Sequence, residues 1–405
     1  MRKFYSVPLL FLLLAAGIGL FLRWQFIEPT PGIRYTFFLH AHSHVMFLGW
    51  AFNVLYLAFT ENYLSHKDQR RFKLFFLLLQ TLVMAMMISF PIQGYGLYSI
   101  IFSTLHTIGV IIYISVFVRF TQGQRAVSLW FARASLFFFL LSTAGPFSLG
   151  YLTANDLVGT VWYNFSIYYY LHFQYNGFFI FGILSLFYQL LEKKQVAFDA
   201  QYALIFGKWM AIACVPAYFL STLFARPGLI FNFIGAFAGV IQLVAVMLFY
   251  DKMKVTAPSL KLSFHPGSYT ALKLLFAGFI LKSVLQLLSA HSEIAVLAYE
   301  TRPLVIAYLH LVLLGVITFF LFVWYVEMEF VDDRLAGTSI KLVFAGFAGS
   351  EICLVIMPWW TSLVDNNFPS SAVVIFFFST LLLIGAGVFY IAFLAKKDDK
   401  NQFSF

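Results

Sequence analysis

Apolar runs recur from one end of the chain to the other, broken by short polar stretches. Runs of about 20 residues are long enough, as helix, to cross a hydrocarbon core of roughly 30 Å. The pattern predicts twelve membrane-spanning helices, spans 1 to 12, over roughly 4–23, 36–60, 73–92, 96–118, 134–153, 161–191, 207–224, 229–250, 270–290, 304–326, 341–358 and 370–394. The connections between them are short, so no soluble domain is expected. The first run, MRKFYSVPLLFLLLAAGIGLFL, is similar to a signal peptide but lacks a clear small-residue cleavage site. It is read as a retained first span. The expected fold is all-α, a polytopic membrane protein with a single transmembrane domain over 1–405.

Charge strengthens this pattern. Every second connection is basic, beginning with Arg2 and Lys3 before span 1 and Lys67, Arg70, Arg71 and Lys73 after span 2. The alternation continues through Lys193 and Lys194 after span 6 to Lys396, Lys397 and Lys400 after span 12. The other connections hold few cations, notably Arg226 and Arg302. Cationic loops favour the cytoplasmic side, so both termini are expected in the cytoplasm, in a bacterial-type inner membrane. Composition agrees, with 61% hydrophobic and 11% charged residues. A soluble domain carries about 25% charged residues. The net charge of +9 belongs to the loops and does not point to nucleic acid. Cys214 and Cys353 lie in apolar segments without metal-site spacing.

The candidate chemistry lies in the histidines, nine in all. His66 and His265 fall in basic loops, and His291 lies near the outer surface. The rest sit within spans: His40, His42 and His44 in span 2, His106 in span 4, His172 in span 6 and His310 in span 10. Polar groups at membrane depth are costly and usually face a bundle interior. Three segments share one spacing, His then Gly five residues on: His44 and Gly49, His172 and Gly177, His310 and Gly315. They recur every fourth span, which predicts a four-span unit repeated three times. All three histidines fall at similar depth. His40 and His44 share a helix face, and His42 points elsewhere. Each Gly would let a flat group or another helix approach. Several imidazoles at one depth suit a metal, and two from different helices suit a haem iron walled by Gly and Phe. The plainer alternative is packing histidines bonded to backbone or hydroxyl groups.

At these residues the chain resembles subunit I of the haem-copper oxidases and the NnrS-type membrane proteins. AHSHVMFLGW is similar to the histidine segment that the family carries early in its fold. LHFQYNGFFIFGIL and YLHLVLLGVITFFLF look like its counterparts in spans 6 and 10. The resemblance covers the whole chain in topology and these three segments in sequence. It implies three pseudo-repeated four-helix arcs, approximately 1–133, 134–268 and 269–405. It also implies haem as cofactor, with His44 and His310 as axial ligands and His40 in reserve. His172 matches a copper position loosely, and His42 and His106 are further candidate metal ligands. The departures are specific. Span 7 has no histidine, span 10 has one with Tyr308 beside it, and Tyr175 lies three residues after His172. The oxidase His-Tyr pair is four apart. The oxygen-reducing centre is therefore incomplete, and whether the chain is an enzyme stays open.

The expected function is a haem-binding membrane protein in respiratory electron transfer or in nitric oxide or oxygen handling. Its partners would be the lipid bilayer and an electron donor or other respiratory subunits. Arg226 and Arg302 would face haem propionates, or serve as ordinary interfacial arginines. Lys282 in span 9 and Glu351 in span 11 are buried charges that could pair. They support an alternative, a proton-coupled secondary transporter, with His106 as a relay. A second alternative is copper or zinc without haem, held by His40, His42, His44 and His172.

Overall fold

The computed structural model describes residues 2–363 and 369–396. Lys397 and Lys400, counted above in the basic tail, lie outside the described residues. No strand occurs among the described residues. Among the described residues, eleven helices are long and apolar enough to cross a membrane: Arg2–Trp24, Tyr35–Tyr63, His66–Gln93, Leu97–Phe120, Val127–Ala154, Ala200–Ala225, Leu229–Ser263, Pro266–Leu288, Arg302–Glu327, Asp333–Leu363 and Ser371–Ala395. Span 6 is an unbroken helix over 161–193 but does not join them, because Asn164, Ser166, His172, Gln174 and Asn176 make it more polar. It can carry His172, Gln174 and Asn176 because every residue from 172 to 191 is buried. Side chains such as Leu74, Ile212, Leu229 and Phe237, each at least 70% exposed, form the contrasting apolar exterior. A surface of that kind belongs against lipid.

Several helices outrun their apolar stretches. Span 8 continues through Lys252, Lys254 and Lys261 to Ser263, where Pro266 opens the next helix. Pro is favoured in that first turn because its missing N–H is unpaired there anyway. Span 7 tightens into a 3-10 helix over Tyr218–Ala225, just after Pro216. A short helix, Ser292–Glu300, lies in the connection after span 9. Hydropathy marks where lipid begins, and helical hydrogen bonding need not stop there.

The chain divides into two compact units, one of 1–110 with 321–405 and the other of 111–320. In the first, span 2 is the central helix, with 83% of its apolar window buried. Lipid supplies no hydrophobic drive for helices to associate, so close packing and polar bonds hold them. Asn53 and Gln80 form a reciprocal amide pair between spans 2 and 3, at 2.5 and 2.9 Å. Spans 11 and 12 cross closely, with Ser339 Oγ donating to the Gly385 carbonyl at 2.7 Å. In the second unit, span 6 occupies the core. Ser135 Oγ of span 5 donates to the Phe178 carbonyl at 2.6 Å.

Three segments of wider, π-helical winding interrupt the spans: Val45–Ala51, Phe173–Phe179 and Leu311–Thr318. Each begins at the residue after His44, His172 or His310, and each contains the Gly of the repeated spacing. π winding shifts each bond from the fourth to the fifth residue and disturbs the carbonyl pairing at its borders. A stranded carbonyl at membrane depth needs a partner. In each of the three segments a side chain donates to one carbonyl. Asn53 Nδ2 donates to the Gly49 carbonyl at 2.6 Å, Ser135 to Phe178 as above, and Thr318 Oγ1 to the Leu313 carbonyl at 2.8 Å. At two of the glycines a neighbouring helix approaches closely. A Cβ on Gly49 would stand 2.7 Å from the Phe11 ring, and one on Gly177 2.5 Å from Phe138.

Candidate functional site

His44 is the tenth and last residue of its α-helical stretch, His172 the twelfth of its own and His310 the ninth. All three therefore stand at an α-to-π junction, and their surroundings differ.

In the first unit, His44 Nδ1 donates to the carbonyl of His40 at 2.8 Å. That bond fixes the tautomer and leaves the lone pair on Nε2. A metal-binding imidazole is commonly oriented by such a bond from its other nitrogen. Among the described residues Nε2 of His44 has no hydrogen-bond partner. The ring lies 4.3 Å from that of Phe90, and His40 lies 4.5 Å from Tyr95. Phe90 and Tyr95 meet edge to face at 5.2 Å, so the two histidines share an aromatic wall. His106 is 0% exposed, and neither ring nitrogen has a hydrogen-bond partner among the described residues. It sits 5.5 Å from the Phe52 ring and within electrostatic range of His44. A buried imidazole with both nitrogens unmet costs stability unless something else meets them. His42 turns to span 1, where Nδ1 lies 2.9 Å from the Ala15 carbonyl and the ring covers Gly19.

In the second unit, both nitrogens of His172 are engaged. Nε2 donates to the Cys214 carbonyl at 2.8 Å, and Nδ1 accepts from Asn176 Nδ2 at 3.1 Å. A metal would have to displace one of these bonds. Lys282 lies nearby, within electrostatic range of His172 and Cys214. Its Nζ donates to Gln286 Oε1 at 2.7 Å, and Gln286 passes a bond to Gln242 at 3.1 Å. Lys282 is 2% exposed and has no carboxylate partner among the described residues. The rings of Tyr175 and Tyr308 meet edge to face at 6.0 Å.

The remaining candidates find local surroundings. Glu351 lies within electrostatic range of Arg23, in the same unit. Arg226 is paired with Glu293 at 2.8 Å on an exposed surface. Arg302 is exposed and within electrostatic range of Tyr168. Among the described residues no three His, Cys, Asp or Glu side chains gather as a metal-binding group.

Asn53, Gln80, Asn176, Gln242 and Gln286 are functional-site neighbours that no motif or spacing marks in the sequence. All five are buried amides within spans. The available signal was the same as for histidine: an amide at membrane depth is costly unless bonded. No family model matches the chain, and no curated protein is similar to it. What the fold defines is a polytopic, all-helical membrane protein.

Proposed function

We propose that this is a haem-binding integral membrane protein in which His44 supplies an axial ligand. The observation that carries the reading is the His44 ring, held through Nδ1 by its own helix with Nε2 left to coordinate. His106, buried with both nitrogens unmet among the described residues, gives the same region a second imidazole. The donor set fits a haem better than a cage of protein ligands, because a haem brings four nitrogens of its own and needs one or two imidazoles. Bound there, haem would supply one-electron redox chemistry or a site for oxygen or nitric oxide. The chain's own part is to orient the imidazole, wall it with Phe90 and Tyr95, and exclude water.

The resemblance to haem-copper oxidase subunit I and NnrS-type proteins extends the proposal to three four-span arcs, a respiratory role and the inner membrane. It makes His310, at the matching junction of its own unit, a further candidate ligand. Copper or zinc held by protein alone is the weaker alternative, since His42 bonds span 1 and His172 is engaged on both sides. The test compares absorption spectra of His44→Ala, His310→Ala and His172→Ala after expression with ample haem. Loss or shift of the Soret band in His44→Ala, with His172→Ala unchanged, supports the proposal. An unaltered low-spin spectrum in His44→Ala overturns the assignment.

A second reading, a proton-coupled transporter, is favoured by Lys282. A buried ammonium with amide acceptors beside His172 is arranged as a relay would be. Uptake driven by a proton gradient in proteoliposomes, abolished in Lys282→Met, would support it. Undiminished uptake in that variant would rule Lys282 out.

A further inference from the structure

The second unit contains a cavity of about 380 Å³ with an overwhelmingly apolar lining. That volume falls within the roughly 300–1,000 Å³ of small-molecule sites. Its walls come from Ile183 and Phe187 of span 6 and Phe249 and Phe276 of spans 8 and 9, with Val316 and Phe320 of span 10 as a buried floor. The polar lining consists of two matched pairs. Span 8 contributes Tyr250 and Lys254, and span 9 contributes Tyr269 and Lys273. In each pair the lysine is four residues after the tyrosine, on the same helix face, with its ammonium over the ring at 4.4 and 4.5 Å. Both lysines are exposed; Lys254 belongs to the basic stretch after span 8, and Lys273 lies in the first turns of the next helix, Pro266–Leu288.

We propose that this cavity is a binding site for one anionic phospholipid of the leaflet on the basic side. An acyl chain would fill the apolar interior, and the phosphate would lie between the ammonium groups of Lys254 and Lys273. The pairing of tyrosine with lysine suits a membrane interface, where tyrosine sits at headgroup level and lysine reaches for the anionic surface. Lys254 also bonds Asp251 at 3.1 Å, an exposed pair that a lipid phosphate would have to displace or share. Lys273 has no carboxylate partner among the described residues. A water-soluble ligand would not select the interior, and a zwitterionic lipid would gain little from two cations. The site is built from residues of the second unit alone and does not depend on the haem proposal.

Native mass spectrometry of the full chain tests it, after detergent purification and exposure to equal phosphatidylglycerol and phosphatidylcholine. One phosphatidylglycerol is expected to remain bound per chain. Lys254→Ala and Lys273→Ala should each lower its occupancy roughly fivefold, from the usual worth of a lysine near an anionic surface. Ala277→Phe, which places bulk at the cavity wall, should displace the lipid with both lysines intact. Equal retention of phosphatidylcholine, undiminished occupancy in the lysine variants, or a tightly held molecule that is not a phospholipid would each overturn the proposal.

Discussion

His44 and His172 hold equivalent places at two α-to-π junctions, yet their ring nitrogens do different work. His172 spends both on protein partners and ties span 6 to span 7. His172→Ala should therefore cost about 1–3 kcal/mol, the usual penalty for stranding buried polar groups. Thermal unfolding in detergent would show it, with no change in any haem spectrum. His106 presents the opposite case. In haem-free protein its unmet nitrogens are a burden, so His106→Leu should raise stability by about 1–3 kcal/mol. In haem-loaded protein the same change should shift the Soret band. A stability loss in haem-free His106→Leu would mean that the imidazole already has a partner. Asn53 acts at this scale too, meeting both the Gly49 carbonyl and Gln80. Asn53→Leu removes both bonds and should cost about 1–3 kcal/mol in the same unfolding measurement.

At the scale of elements, the three π segments carry the repeat. Each combines a junction histidine, a glycine and a carbonyl caught by a side chain. At Gly177 a methyl group has no room beside Phe138. Gly177→Ala should cost about 1–3 kcal/mol through overpacking, and most of that loss should be recovered in the double variant Gly177→Ala/Phe138→Leu. Additive losses in the double-mutant cycle would show that the crowding lies elsewhere. The spacing of His and Gly was legible in the sequence, but the π winding was not. A shift of one residue in hydrogen bonding leaves no mark on hydropathy, and Val, Phe and Leu suit either winding. Helices run past their apolar stretches for a related reason: Lys252 and Lys254 end the apolar run of span 8 but remain good helix formers.

For the whole molecule, alternating loop charge and apolar runs made the polytopic helical architecture legible. Span 6 shows where hydropathy understates a helix that is buried in protein and not in lipid. The charge alternation predicts both termini on one side of the membrane, which reporter fusions at Lys3 and Lys396 should show with equal cytoplasmic signals. The chemistry was legible in part. Imidazoles stand out at membrane depth, so His44 and His106 were visible as candidates, but which nitrogen each uses depends on carbonyls brought near by winding. The buried amides lack charge and a fixed spacing, so the bonds they complete emerged only from the packing. The central claim, haem at His44, is tested most directly by the absorption spectrum and iron content of purified wild-type protein expressed with ample haem. The account predicts a Soret band with stoichiometric iron. Protein that is folded, free of iron and without Soret absorption would contradict it.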